Sequence, residues 1–75
     1  MNYTVGKNPD KDGEYLVVFI NRQGAKTYKI MKYTTDIEKI TKVKDYKDGW
    51  YEWRSYEYVI YTTVDAWMPI PEFKR

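Results

Sequence analysis

The segment that most constrains the fold is residues 14–20, in which six aromatic or aliphatic side chains follow one glutamate. Neighbouring side chains of a strand point to opposite faces, so apolar residues at both odd and even positions indicate a strand that is covered on both faces. Turn-forming residues that include Pro9 and Gly13 come directly before it. We therefore predict that this strand lies at the centre of a β-rich fold.

The rest of the chain supplies further predicted strands. Residues 25–34 return after a hairpin turn at residues 21–24, with Gly24 at a position that needs positive φ. Asp48-Gly49 is typical of a second tight turn, of type I′. Residues 50–54 and 56–67 are rich in Tyr, Val, Ile and Thr. The predicted fold is mainly β, or α+β with one short helix: a small antiparallel sheet of four to five strands, strongly twisted or barrel-like.

Residues 36–47 allow more than one interpretation. Residues 35–38 match a capping box, and Ile37 and Ile40 have helical spacing. Residues 40–43 also have the composition of an exposed strand. The sequence therefore leaves helix, strand and loop open for this segment.

Size and composition indicate one domain over residues 1–75, with a core made largely of aromatic side chains. A chain of 75 residues buries only about 60% of its unfolded surface. Disulfide bonds cannot stabilise it because it has no cysteine. Nine Tyr and three Trp each bring roughly 150–250 Å² of buriable area. Large rings are thus the means by which so short a chain can build a core.

The residues that ordinary enzyme chemistry needs are scarce. The chain has no histidine and no cysteine, which removes the commonest general base, thiol nucleophiles and thiolate metal sites. Ser55 is the sole serine, and the four glycines are scattered singly rather than grouped in a phosphate-binding loop. We expect a non-enzymatic protein without cofactor or metal that acts by binding a partner.

One candidate binding surface is a basic strand. The residues that would contact single-stranded nucleic acid, through phosphate neutralisation and base stacking, are Arg22, Lys26, Tyr28, Lys29 and Lys32. Cross-strand charge pairing is the other explanation, because residues 56–67 contain Glu57 and Asp65 and no Lys or Arg. The small net charge of +2 favours charge pairing.

A second candidate is an aromatic cluster that would contact another protein, namely Trp50, Tyr51, Trp53, Tyr56 and Tyr58. Alternation places Tyr51 and Trp53 on one face of their strand and Trp50 on the other. Trp and Tyr are frequent interface anchors, so one face can serve as core and the other as a partner surface. Alternatively, all of these rings fill a thin core.

Residues 67–72 read Trp-Met-Pro-Ile-Pro-Glu, and Val64 stands before them. This ending resembles a family of small phage and prophage proteins of unknown function, whose members end in a Trp-Met-Pro-Leu-Pro-type motif. Members also begin with a Pro-x-x-Gly turn that leads into a hydrophobic strand, and the resemblance assigns these to residues 9–13 and 15–18 here. Ala66 departs from the histidine usual in the family. On physical grounds Trp67 is expected in the core, while Pro69 and Pro71 keep the exit extended.

The resemblance implies a phage or mobile-element origin more than a particular activity. The leading hypothesis is an accessory protein that binds and modulates a host protein, such as a CRISPR-like component of host defence. The alternative is a single-stranded nucleic-acid-binding module, and a homodimer that buries its aromatic face is a third possibility. The N-terminus lacks a signal-peptide pattern and no apolar run is long enough to span a bilayer. We therefore expect a cytoplasmic protein without a membrane partner, in the host cell if phage-encoded.

Overall fold

A computed structural model describes residues 3–70, which form one antiparallel sheet and one short helix. In chain order the elements are β1 (Gly13–Ile20), β2 (Lys26–Thr34), α1 (Ile37–Thr41), β3 (Gly49–Arg54), β4 (Glu57–Tyr61) and β5 (Ala66–Pro69). The strand order across the sheet is β4-β3-β2-β1-β5. The predicted class, mainly β with a single antiparallel sheet and one short helix, is confirmed. The sheet does not close into a barrel.

The connection between β4 and β5 shows that the sheet curls strongly. These strands lie at opposite edges, which a flat sheet of five strands would hold about 19 Å apart. Residues 62–65 connect them and span at most roughly 17 Å. The rings of Phe19 on β1 and Tyr61 on β4 also meet, with centroids 5.2 Å apart, although two strands lie between them. The sheet therefore has a concave inner face and a convex outer face.

The inner face encloses the core. Its large side chains, alternating along each strand, are Tyr15, Val17, Phe19, Met31, Tyr33, Trp50, Tyr61 and Trp67. Trp50 is fully buried at the centre, and its ring lies 5.1 Å from that of Tyr33, 5.7 Å from that of Tyr15 and 6.3 Å from that of Trp67. The Tyr33 hydroxyl donates to Asp48, and burial, followed by this hydrogen bond, raises the pKa of Tyr33. The core is thus largely aromatic.

Residues 4–12 run from the edge of β5 to the end of β2, and both core tryptophans hold the middle of this segment at the inner face. Trp50 Nε1 donates to Asn8 Oδ1 at 3.1 Å, and Trp67 Nε1 donates to the Lys7 carbonyl at 2.7 Å. Thr4 forms an isolated bridge with Trp67, and Pro9 is buried. The indole N–H groups thereby gain partners that a closed aromatic core would not offer.

The open question over residues 36–47 resolves into a short helix followed by a loop. Asp36 rather than Thr35 caps α1, because its carboxylate accepts from the Lys39 N–H at 3.2 Å. Ile37 is fully buried beside Gly49, which anchors α1 at one end of the sheet. The helix spans five residues, and no helix within residues 3–70 is long and apolar enough to cross a bilayer.

Glycine predicts one hairpin turn correctly, predicts a second that does not form, and is absent from a third that does form. Gly24 has φ 83°, so the predicted hairpin turn between β1 and β2 is confirmed. The type I′ turn predicted at Asp48-Gly49 is wrong: Gly49 begins β3, and residues 35–48 including α1 connect it to β2. The turn with positive φ at both central residues is Ser55-Tyr56, at 52° and 67°, between β3 and β4. Side chains other than Gly or Asn adopt this conformation at a cost of roughly 1–2 kcal/mol per residue.

The prediction for residues 14–20 needs correction. β2, not β1, is the middle strand of the sheet. Val18 on the outer face is buried by its neighbours, but Ile20 beyond it is exposed. The outer face of β1 is therefore covered only in part, because α1 sits at the other end of the sheet. The single strand predicted over residues 56–67 is likewise divided into β4 and β5. Pro71 and Glu72 lie outside the described residues.

Asp12 fixes the end of the N-terminal segment against β2. Its carboxylate accepts from the Thr35 N–H at 2.7 Å, from the Thr35 hydroxyl at 2.8 Å and from the Thr34 hydroxyl at 2.8 Å. The backbone hydrogen bond from Thr35, followed by the two hydroxyl bonds, lowers the pKa of Asp12 below its ordinary value. The folded state therefore favours the ionised carboxylate.

This lowered pKa predicts a pH-dependent stabilisation. It is fully present above the unfolded pKa of about 4 and is lost as the pH falls through the lower folded pKa. Asp12→Ala is therefore expected to reduce the free energy of unfolding by about 1 kcal/mol at pH 6, and by less near pH 2. Urea unfolding of both proteins between pH 6 and pH 2 measures this. Asp10→Ala is the control, and an equal effect of Asp12→Ala at all pH values would contradict the prediction.

Candidate functional site

The outer face carries a row of apolar side chains that crosses all five strands. Cross-strand pairing places Tyr58 opposite Trp53, and Leu16 opposite both Ile30 and Met68. The register between β2 and β3 brings Ile30 beside Trp53. We call this set the apolar row: Tyr58, Trp53, Ile30, Leu16 and Met68. Because the residues stand on paired strands, their spacing is fixed by the sheet.

The apolar row is open to solvent at its centre. Ile30 is 62% exposed and Trp53 is 61% exposed, whereas Met68 at the β5 end is buried. Tyr28 and Ile20, beside the row on β2 and β1, are also exposed. Single exposed apolar residues need no explanation, but a contiguous group on one sheet face marks a contact surface. Ile40 of α1 approaches this face at one end.

Three aromatic rings stiffen the β3–β4 end of the surface. Tyr58 makes edge-to-face contacts with Trp53, at 4.8 Å between centroids, and with Tyr51, at 6.0 Å. Burial, followed by the neighbouring Tyr58, raises the pKa of Tyr51. Edge-to-face rings restrict one another, which lowers the entropy lost when a partner binds.

A shallow groove of about 350 Å³ separates the aromatic rings from α1. Ile40 of α1 forms one wall, and Tyr51 and Trp53 form the other. Glu14 and Lys32, which are directly opposed on β1 and β2, close one end. The lining of the groove therefore combines apolar side chains with the charged residues Glu14, Lys32 and Glu52.

The opposite end of the outer face is basic. Lys26 faces Ile20 across the β1–β2 hairpin, so it has no acidic residue opposite it. Arg22 lies in the adjoining turn. The outer face as a whole thus combines an apolar centre with a positively charged rim at the hairpin end.

The structure divides the predicted aromatic cluster. Tyr51, Trp53 and Tyr58 lie together on the outer face, while Trp50 is fully buried on the inner face and cannot contact a partner. Tyr56 is 92% exposed at the tip of the β3–β4 turn. Strand alternation from the sequence had placed Tyr51 and Trp53 opposite to Trp50, and the structure agrees.

Sequence reasoning missed the aliphatic half of the surface. Ile30 and Leu16 complete the apolar row, and Ile20 lies next to it. The signal was present in β2, where Tyr28 and Ile30 share their parity with Lys26. The binding role predicted for this strand rests on its basic residues and Tyr28, and it does not include Ile30.

The predicted basic strand does not form one surface. Lys29 points to the inner face and pairs with Glu52, Nζ to Oε2 at 2.9 Å, and Arg54 also contacts Glu52 at 2.9 Å. Lys26, Tyr28 and Lys32 lie on the outer face, and Glu14 opposes Lys32. Cross-strand charge pairing therefore occurs, but through Glu52 rather than the predicted acids. Asp65 instead accepts from the Ile20 N–H at 2.6 Å.

Comparisons with protein-family models, with curated proteins and with solved structures found no match to this chain. The resemblance of residues 67–72 to small phage proteins therefore stays a prediction. The structure places Trp67 on the inner face against the core and ends β5 at Pro69. Among residues 3–70, no three Asp or Glu side chains lie close enough together to hold a metal ion.

Proposed function

We propose that this chain is a non-enzymatic accessory protein, of phage or prophage type, that binds and modulates a host protein through its outer face. The observation that carries the proposal is the exposure of Ile30 and Trp53 at the centre of the apolar row. Tryptophan, with tyrosine beside it, is the residue type that most often anchors a protein interface. A paired sheet presents these anchors without the ordering cost of a flexible loop.

The chemistry of the outer face defines the partner. An apolar centre calls for an aliphatic or aromatic contact patch on the partner. Lys26 has no acidic residue opposite it, and Arg22 lies in the adjoining turn. The partner should therefore carry acidic residues at one end of its patch, where they would pair with these two cations. Host-defence proteins, including CRISPR-like components, are the target class in this proposal, and the phage-like ending of the chain is the reason for choosing them.

Nucleic acid receives less support from the same geometry. A single-stranded binder tracks the phosphate backbone with a continuous line of cations next to stacked rings. Here Lys29 lies on the inner face of β2, where it pairs with Glu52, and Glu14 opposes Lys32. Lys26 and Tyr28 remain as neighbours on the outer face, which is too few cations for phosphate binding to dominate.

The proposal predicts that Ile30→Glu abolishes partner binding. A charge at the centre of the apolar row would be buried without a counter-ion in the complex, so retention of the partner should fall at least about 100-fold. Tagged protein is incubated with nuclease-treated host lysate, and the retained proteins are quantified by mass spectrometry. Val5→Glu is the matched control: Val5 is also an exposed aliphatic residue, at 73%, and lies in the N-terminal segment, outside the apolar row.

A genuine partner is retained by wild type and by Val5→Glu and is lost with Ile30→Glu. Trp53→Ala should weaken the same partner by about 30-fold or more, the effect of losing one interface hot spot. Circular dichroism establishes that all three variants are folded. Equal retention by Ile30→Glu and Val5→Glu would show that the outer face is not the binding surface. Retention only in untreated lysate would point to nucleic acid instead.

A further inference from the structure

The two edges of the sheet are treated differently by the fold. At the β5 edge, Thr4 and Trp67 exchange backbone hydrogen bonds of 2.7 Å and 3.1 Å, so part of that edge is occupied. At the other edge, β4 pairs with β3 over all five of its residues, and no described residue pairs with its outer side. An uncovered edge strand is a template for another strand.

The hairpin geometry identifies the free backbone groups of β4. Arg54 and Glu57 flank the two-residue turn, so they form a hydrogen-bonded pair, and such pairs recur at every second position. Glu57, Val59 and Tyr61 therefore direct their N–H and C=O groups toward β3. Tyr58 and Ile60 direct theirs away from the sheet, and each offers one donor and one acceptor at the edge.

β4 lacks the devices with which proteins protect an edge. Its sequence, Glu-Tyr-Val-Ile-Tyr, contains no lysine and no proline, and its register with β3 is regular without a bulge. Its one charged residue, Glu57, lies at the first position. Aromatic and β-branched residues fill the remaining positions, and these have the highest preference for strands.

We propose that β4 pairs with β4 of a second copy of this chain, antiparallel and centred on Val59. In this register Tyr58 lies opposite Ile60 of the other copy, and the two residues exchange both of their backbone hydrogen bonds. The twofold axis repeats that pair, so the outward groups of Tyr58 and Ile60 are all satisfied. Two five-stranded sheets become one sheet of ten strands.

Charge and side-chain chemistry explain why a second copy fits this edge. Glu57 lies opposite Tyr61 of the other copy, so the two Glu57 carboxylates stand about 13 Å apart along the strands and do not oppose each other. On the outer face Tyr58 packs against the aliphatic Ile60 of the other copy. A net charge of only +2 per chain opposes association weakly. The dimer also makes the two outer faces continuous.

A single engineered cysteine tests the register, since the chain has no cysteine of its own. In the proposed pairing Val59 and its symmetry mate form a non-hydrogen-bonded pair with Cα atoms about 4.5 Å apart, within the range of a disulfide bond. Val59→Cys should therefore form covalent dimers in a glutathione redox buffer. Glu57→Cys is the control on the same strand, because the two copies of position 57 lie about 13 Å apart, beyond disulfide reach.

The expected result is at least about a tenfold larger dimer fraction for Val59→Cys than for Glu57→Cys, measured on non-reducing gels at equal concentration. Sedimentation velocity of the wild type up to about 1 mM should show the mass doubling reversibly, since one strand pair buries less than the about 1,200 Å² of a standard interface. Equal cross-linking of the two variants, or a wild type that stays monomeric throughout, would overturn the proposal. The Ile30→Glu variant should still dimerise. That result would show that the β4 edge and the outer-face binding surface are different sites.

Discussion

Trp50→Ala is expected to unfold the protein at room temperature. The indole is fully buried, contacts the rings of Tyr15, Tyr33 and Trp67, and holds Asn8 through its N–H. Removal of a buried tryptophan costs about 3–5 kcal/mol, from lost burial and from the cavity that remains. A domain of this size has only a few kcal/mol of stability, so the loss is of the same order as the whole. Near-ultraviolet circular dichroism and urea unfolding measure the outcome.

Trp53→Ala makes the same chemical change three residues away on the same strand. Trp53 is 61% exposed on the outer face, so its removal should cost under about 1 kcal/mol and leave the fold intact. Because both variants replace Trp with Ala, a difference in stability between them is due to the burial of the side chain and not to its type. Similar urea midpoints for the two variants would show that the inner face is not the core.

Trp50 and Trp53 also show how much of the side-chain placement can be predicted from the sequence. Alternation along residues 50–53 separates the two tryptophans onto opposite faces. It does not say which face is inside, because both faces of the sheet carry aromatic side chains. That choice is made by residues 4–12, which cover the inner face through Asn8 and Lys7. Such contacts join parts of the chain that are far apart in sequence, so no local pattern contains them.

The turns illustrate the same limit at a local scale. Asp48-Gly49 has the composition of a type I′ turn, yet Gly49 begins β3, beside the buried Ile37 of α1. Ser55-Tyr56 has a poor composition for that turn and adopts it nevertheless. Pairing of five residues between β3 and β4 outweighs the local cost at Ser55 and Tyr56. At residues 48–49 and at residues 55–56, strand pairing therefore outweighs the turn preference of the local sequence.

The aromatic part of the candidate surface was easier to predict than its aliphatic part. Tyr51, Trp53 and Tyr58 were identified because rings are conspicuous interface residues. Alternation places Ile30 on one face of β2 with Tyr28, but only the register of β1 with β2 and β5 places Ile30 and Leu16 in one row. The strand order could not be obtained from the sequence, because β4 and β5 are neighbours along the chain and yet occupy opposite edges of the sheet.

Trp67→Ala is expected to cost about 3 kcal/mol and to release the N-terminal segment from the inner face. The Trp67 ring lies 5.0 Å from that of Tyr15, and its Nε1 donates to the Lys7 carbonyl. Its backbone also exchanges hydrogen bonds with Thr4, so the residue joins β5, β1 and residues 4–7. Urea unfolding measures the loss, and hydrogen exchange at the Thr4 amide should become at least about tenfold faster if local opening is eased by over 1.4 kcal/mol.

Trp67→Phe separates the two roles of this side chain. Phenylalanine keeps a ring against Tyr15 but has no N–H for the Lys7 carbonyl, so the stability loss should fall to about 1–2 kcal/mol. Thr4 amide exchange should still rise, because the hydrogen bond that anchors residues 4–7 is removed in both variants. If Trp67→Phe matched the wild type in exchange, the segment would be held by packing and backbone pairing alone, and the indole N–H would not anchor it.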